Sequence, residues 1–174
     1  MWYALLLLVS LILLGVAAIL FLTTISIAPW VPTRKRDLQR ILALADLKEG
    51  ETFYDLGCGT GTTVFYVARH TQAKAVGVEM SLPLVVYCHV RRFVSGLRGV
   101  KIKCKNAYKV DLSDADVIYI FGMAGRFKKM MKKLKSETKE GTRLISYAFK
   151  IDELEPVKVD KPSDKDLPIY LYEL

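Results

Sequence analysis

The residues best equipped for chemistry lie in "YDLGCGTG", positions 54 to 61. Gly57, Gly59 and Gly61, at every second position, let the chain turn sharply and bring its backbone against a ligand with no Cβ in the way. Glu79 stands 22 residues beyond Gly57, where an acidic side chain at the end of the next strand accepts hydrogen bonds from ribose hydroxyls. Together they imply an adenosine-type ligand lying across strand ends. A dinucleotide needs the register G-x-G-x-x-G to seat its pyrophosphate. Here the register is G-x-G-x-G, with Thr62 in the place of the third glycine. Asp55, two residues before the first glycine, repels a pyrophosphate and attracts a cationic amino-acid moiety such as the ammonium of S-adenosylmethionine. The competing reading is a tight strand-to-helix turn that binds nothing.

Alternating strand-like and helix-like segments are available to position this loop. "TFYDLG" (52 to 57) predicts a strand, "TTVFYVARH" (62 to 70) a helix and "KAVGVE" (74 to 79) a second strand. Ser81 opens a longer helix in which Val86, Val90, Phe93, Val94 and Leu97 line one face, stopped by Gly96 and Gly99. "VKIKCK" (100 to 105), "DVIYIF" (116 to 121) and "TRLISYAF" (142 to 149) predict three further strands, the last after a basic helix, "GRFKKMMKKLK" (125 to 135). That helix carries Phe127, Met130, Met131 and Leu134 on one face and basic residues around the rest, the pattern either of a sheet-covering helix or of one beside anionic headgroups. Leu38, Ile41, Leu42 and Ala45 predict a short helix capped by Thr33, and the tail offers one or two edge strands. Short apolar strands alternating with helices imply an α/β fold, a parallel sheet with helices on both faces.

Residues 1 to 33 contain no Asp, Glu, Lys, Arg or His, so the net charge of +8 belongs to residues 34 to 174. The apolar run from Leu5 to Ile27, flanked by Trp2, Tyr3 and Trp30, predicts one N-terminal transmembrane helix. Arg34, Lys35 and Arg36 follow it directly, which by the positive-inside rule puts the N-terminus outside and the C-terminal domain in the cytoplasm. The division expected is a membrane anchor at 1 to 28, a proline, tryptophan and basic link at 29 to 36, and a domain at 37 to 174. The lipid bilayer is then the expected partner of the basic surface. Cys58, Cys88 and Cys104 form no C-x-x-C pair, so neither a disulfide framework nor a zinc site is indicated. With only His70 and His89, a Ser-His-Asp or metal-dependent hydrolase has little support.

"DLGCGTG" and "GVEMS" resemble the first two motifs of class I S-adenosylmethionine-dependent methyltransferases. Together with "APWVPT", "GVEMSLPLVVYCHVRR", "KNAYKVDLSDADVIYIFG" and "GTRLISYAF", they resemble the membrane-associated protein-lysine methyltransferases of the ATP synthase c-subunit and adenine nucleotide translocase type, and their prokaryotic relatives. The resemblance covers roughly residues 28 to 155. It implies a Rossmann-like sheet and S-adenosyl-L-methionine as cofactor. Asp55, Gly57, Cys58, Gly59, Thr60 and Gly61 would surround the methionine part, Glu79 would hold the ribose, and Asn106 and Ala107 would lie beside the adenine. The family usually has Asp where Asn106 stands. Thr33, in the proline-tryptophan link, comes within reach of the cofactor if that link forms a flap.

Methyl transfer from a sulfonium is an in-line displacement that needs alignment and exclusion of water rather than a nucleophilic residue or a metal. A lysine acceptor must first lose its proton, which an apolar pocket beside a positive sulfonium promotes. Tyr119 and Phe121 on the fourth strand, Tyr147 on the fifth and Trp30 are the candidates for an aromatic acceptor wall; core packing is the plainer role for each. The reading favoured is a protein-lysine methyltransferase acting in or near a membrane. Its rivals are transfer to an aminophospholipid or quinone-like lipid, and a non-catalytic membrane-bound cofactor-binding or scaffold domain. Against a nucleic-acid acceptor stands "IFGMAG" after the fourth strand, where amino-base methyltransferases carry an Asx-Pro-Pro-aromatic signature.

Overall fold

A computed structural model of the protein describes residues 2–25, 31–122 and 127–174. Seven strands form one sheet in the order β3-β2-β1-β4-β5-β7-β6. They are β1 (Thr52–Leu56), β2 (Lys74–Glu79), β3 (Val100–Cys104), β4 (Val117–Ile120), β5 (Arg143–Tyr147), β6 (Lys158–Asp160) and β7 (Ile169–Glu173). β1 to β5 run parallel, with Asp55 opposite both Gly77 and Tyr119. β7 runs antiparallel to β5 and β6. The sheet is therefore mixed rather than purely parallel. β7 is also no edge strand: it inserts between β5 and β6, because its Ile169 and Tyr172 bury against the core at both ends.

Five helices are described: α1 (Trp2–Ile25), α2 (Leu38–Ala45), α3 (Thr62–His70), α4 (Leu82–Ser95) and α5 (Phe127–Glu137). α2, α3 and α4 cover one face, where Ile41, Leu44, Val64, Phe65 and Cys88 pack on Phe53, Ala75, Val117 and Ile145. On the other face α5 lays Phe127, Met130, Met131 and Leu134 on Ile118, Ile120 and Leu144. The order 3-2-1-4-5 reverses direction between β1 and β4. In such a Rossmann-like sheet a ligand crevice opens there, at the carboxyl ends of the strands.

Two local expectations change. The apolar stripe of α4 faces solvent: Val86, Val90, Phe93 and Val94 are exposed, while Val85 and Cys88 are buried. Apolar residues surround most of that helix, so periodicity alone does not choose its inner side. Thr33 does not cap α2; a 3-10 turn at Lys35–Asp37 intervenes and no side chain caps either helix start.

The single-pass placement, with the N-terminus outside and the remainder in the cytoplasm, is also corrected. Among the described residues no helix is long and apolar enough to cross a membrane. The lipid bilayer consequently loses its support as a partner.

Candidate cofactor site

The glycine loop leaves β1 at the crevice and turns into α3. Gly57, Gly59 and Gly61 take φ values of 90°, 54° and 74°, a region that side chains other than glycine rarely enter. The amides of Gly57 and Cys58 both donate to the carbonyl of Val78 on β2, at 2.8 and 3.0 Å, and Gly61 donates to Cys58 O at 2.7 Å. A Cβ on Gly61 would come within 2.8 Å of the Phe65 ring, whereas one on Gly57 would meet no protein atom within 4 Å. Gly61 thus serves packing, and Gly57 leaves the approach to the backbone open.

Glu79 ties this loop to its neighbour. One carboxylate oxygen accepts from Gly59 N at 2.9 Å; the other accepts from Met80 N and Ser81 N, both at 2.8 Å. Charge-assisted bonds of this kind are the stronger ones, so the carboxylate is fixed with lone pairs still free for hydroxyl donors. Asp55 is 4% exposed, and among the described residues no N–H or O–H bonds its carboxylate. Burial, then the charge of Glu79, hold its carboxyl well above the ordinary carboxylate range. Burial beside a second acid favours the neutral form of Asp55 until a cation stands nearby to offset the charge. Two carboxylates, acceptors when ionised, therefore fit a cationic ligand with vicinal hydroxyls.

Asn106 lies where the chain leaves β3, one residue past the bond from Lys105 N to Glu79 O (3.0 Å). Its side-chain oxygen accepts from Tyr108 N at 2.9 Å and starts a 3-10 turn at Ala107–Lys109, in which Ala107 is buried. Cys58 is buried and unpaired by disulfide; a hydrogen bond with Cys88, then burial, pushes its thiol well up. It stays protonated and offers no thiolate nucleophile.

Tyr119 and Tyr147, candidates for an open aromatic wall, are 1% and 0% exposed. Their hydroxyls face the N-terminal segment. Tyr119 OH and Thr33 Oγ1 are 2.7 Å apart, with Thr63 Oγ1 donating to Thr33 at 3.4 Å. Tyr147 OH donates to Asp37 Oδ2 at 2.6 Å. Burial, then the nearby Asp55, raises the Tyr119 phenol well above its usual range and keeps it neutral. Phe121 is half-buried, edge-on to Tyr147 at 4.8 Å and stacked on Phe149 at 6.2 Å. Trp30 lies outside the described residues.

Two loop tethers and one contact of α3 escaped sequence reasoning. Arg91 Nη1 donates to Thr60 O at 2.9 Å while its guanidinium covers the Phe65 ring at 4.3 Å. Cys88 Sγ donates to Gly59 O at 3.2 Å. Thr63, on α3, donates to Thr33. Helical spacing puts Cys88 and Arg91 on one face of α4, but only the fold shows what that face meets.

Residues 55–158 match the ANTKMT methyltransferase domain. A protein-lysine N-methyltransferase of Saccharolobus islandicus is 32% identical over 148 residues, covering 83% of this chain and 92% of its own length. The ATP synthase c-subunit lysine N-methyltransferase of Rattus norvegicus is 29% identical over 122 residues, 70% of this chain; the chain spans 56% of that protein. Among solved structures, an RNA methyltransferase from Salinibacter ruber in complex with S-adenosyl-L-homocysteine superposes with a TM-score of 0.78 and 27% identity, covering 82% of this chain and 93% of the other.

Proposed function

Because the chain belongs to the ANTKMT methyltransferase family and is an S-adenosylmethionine-dependent methyltransferase, we propose that it methylates lysine side chains of a protein. The observation that carries this reading is the likeness, over 83% of this chain, to the Saccharolobus relative that bears that name. When bound, S-adenosylmethionine supplies an electrophilic methyl group on a positive sulfonium.

The residues of this chain divide the remaining work. Asp55 would hold the ammonium of the cofactor, and the backbone of Gly57, Cys58, Gly59, Thr60 and Gly61 would lie against its methionine part. Glu79 is oriented by three backbone amides to receive the ribose hydroxyls. Asn106 and Ala107 border the place for the adenine, and Thr33 closes the crevice from the N-terminal side. Phe121 and Phe149, half-buried at the ends of β4 and β5, are the aromatic faces left to line an acceptor channel. Tyr119 and Tyr147 spend their hydroxyls on the segment above it. An apolar channel disfavours the charged form of an incoming lysine, so the chain needs no dedicated base.

The experiment is incubation of the purified chain with radiolabelled S-adenosylmethionine and an extract of its own cells, followed by separation of protein, RNA and lipid. Label is expected in protein, on lysine by mass spectrometry of the labelled band. Label confined to RNA or to lipid overturns the reading.

A further inference from the structure

The matched domain covers residues 55–158, yet a densely bonded ion cluster lies outside it. Arg40, on α2, donates from Nη1 to Asp37 Oδ1 at 2.9 Å, from Nε to Asp160 Oδ1 at 2.7 Å, and from Nη2 to the carbonyls of Asp160 and Leu167 at 2.8 and 3.1 Å. Nη2 also contacts the Asp160 carboxylate. Asp37 is 1% exposed and uses its second oxygen for the Tyr147 hydroxyl. Arg36 adds a bond to Lys165 O at 3.1 Å. The guanidinium thus fastens α2 and Asp37 to the β6–β7 hairpin, and Asp37 in turn holds Tyr147 of β5.

Such a cluster is a poor device for stability alone, because apolar side chains of similar volume would do as well or better. What it does is fix one position. Thr33 lies four residues upstream of Asp37, and the intervening 3-10 turn, closed by Asp37 N to Arg34 O at 3.0 Å, leaves little slack. Thr33 in turn meets Tyr119, which stands opposite Asp55 in the sheet register. We propose that Arg40 is a positioning residue for the cofactor site: clamped between Asp37 and Asp160, it holds Thr33 against Tyr119 and Thr63 at the edge of the crevice. The C-terminal hairpin thereby contributes to cofactor affinity without touching the cofactor. The proposal rests on Thr33 and Asp55 facing the cofactor; it is independent of the acceptor, since binding of S-adenosylhomocysteine requires none.

Calorimetric titration of the full chain with S-adenosylhomocysteine tests it. Arg40→Lys keeps the charge and loses the fork. Asp160→Asn keeps an acceptor and loses the charge, at a carboxylate 27% exposed, so it folds even where Arg40→Lys does not. Each is expected to weaken binding about five- to tenfold, the worth of one or two net hydrogen bonds. Thr33→Ala weakens it similarly, and combining it with Asp160→Asn adds nothing further, since both act through the same contact. Tyr172→Phe, which removes a buried hydrogen bond elsewhere, lowers thermal stability and leaves the affinity unchanged. Wild-type affinity in Asp160→Asn or in Thr33→Ala, or losses that add in the double variant, overturn the proposal.

Discussion

At the scale of single residues, burial and the neighbouring Glu79 raise the Asp55 carboxyl well above its unfolded value. A carboxyl so raised stabilises the ligand-free fold below the unfolded pKa of about 3.9 and loses that contribution as pH climbs through the folded value. A bound ammonium reverses the preference. Cofactor affinity should therefore increase with pH through the Asp55 titration, and Asp55→Asn should abolish that part of the dependence. The same variant should weaken S-adenosylhomocysteine binding by about tenfold to 100-fold, corresponding to about 1.5–3 kcal/mol for a bond to a charged group. Its ligand-free melting temperature should rise at pH values above the Asp55 titration, since the cost of burying a charge beside Glu79 is gone. Two glycines of the same loop separate in the same way. Gly61→Ala drives a methyl group into Phe65 at positive φ and should cost about 1–3 kcal/mol of stability, read by denaturant melts. Gly57→Ala meets open space and should cost about 1–2 kcal/mol, with its larger effect on binding.

At the scale of elements, the strand ends away from the crevice are held by Asp116, just before β4. Its Oδ2 accepts from Thr52 N at 2.8 Å, and its other oxygen pairs with Lys139. Burial alone would raise this carboxyl; the bonds from Lys139 and Thr52 outweigh it and the net direction is down. The sign is opposite to that of Asp55. Asp116 stabilises the fold above the unfolded pKa of about 3.9 and loses that contribution as pH falls through the lower folded value. Asp116→Asn should lower the melting temperature at neutral pH and flatten its fall below about pH 4. β7 is pinned by a different bond, from Ile151 N to Tyr172 OH at 2.9 Å in a fully buried setting. Tyr172→Phe leaves that amide without an acceptor and should cost about 1–3 kcal/mol, measured by urea unfolding.

At the scale of the whole molecule, much of the architecture was legible beforehand. The predicted strands at 52 to 57, 74 to 79 and 100 to 105 lie within a residue of β1, β2 and β3, because short apolar runs bounded by glycine and charge have few other solutions. The glycine loop was legible for the same local reason: positive φ requires glycine wherever it falls. Hidden were the contacts that join distant segments. Thr33 to Tyr119, Asp37 to Tyr147 and Arg40 to Asp160 span separations of 86, 110 and 120 residues, and no periodicity records a pairing over such distances. The inward side of α4 was hidden too, since its exposed face is as apolar as its buried one. By itself, then, the sequence determined the strand and helix segments, the loop that needs glycine and the acidic residues near the ends of the first two strands, all of them set by backbone sterics and spacing within a few turns of chain. Only the tertiary structure decided that β7 enters the sheet antiparallel, that Tyr119 and Tyr147 turn their hydroxyls to the N-terminal segment, and that Arg40 on α2 pairs with both Asp37 and Asp160. These depend on which surfaces meet once the sheet has closed, and local chemistry carries no record of that.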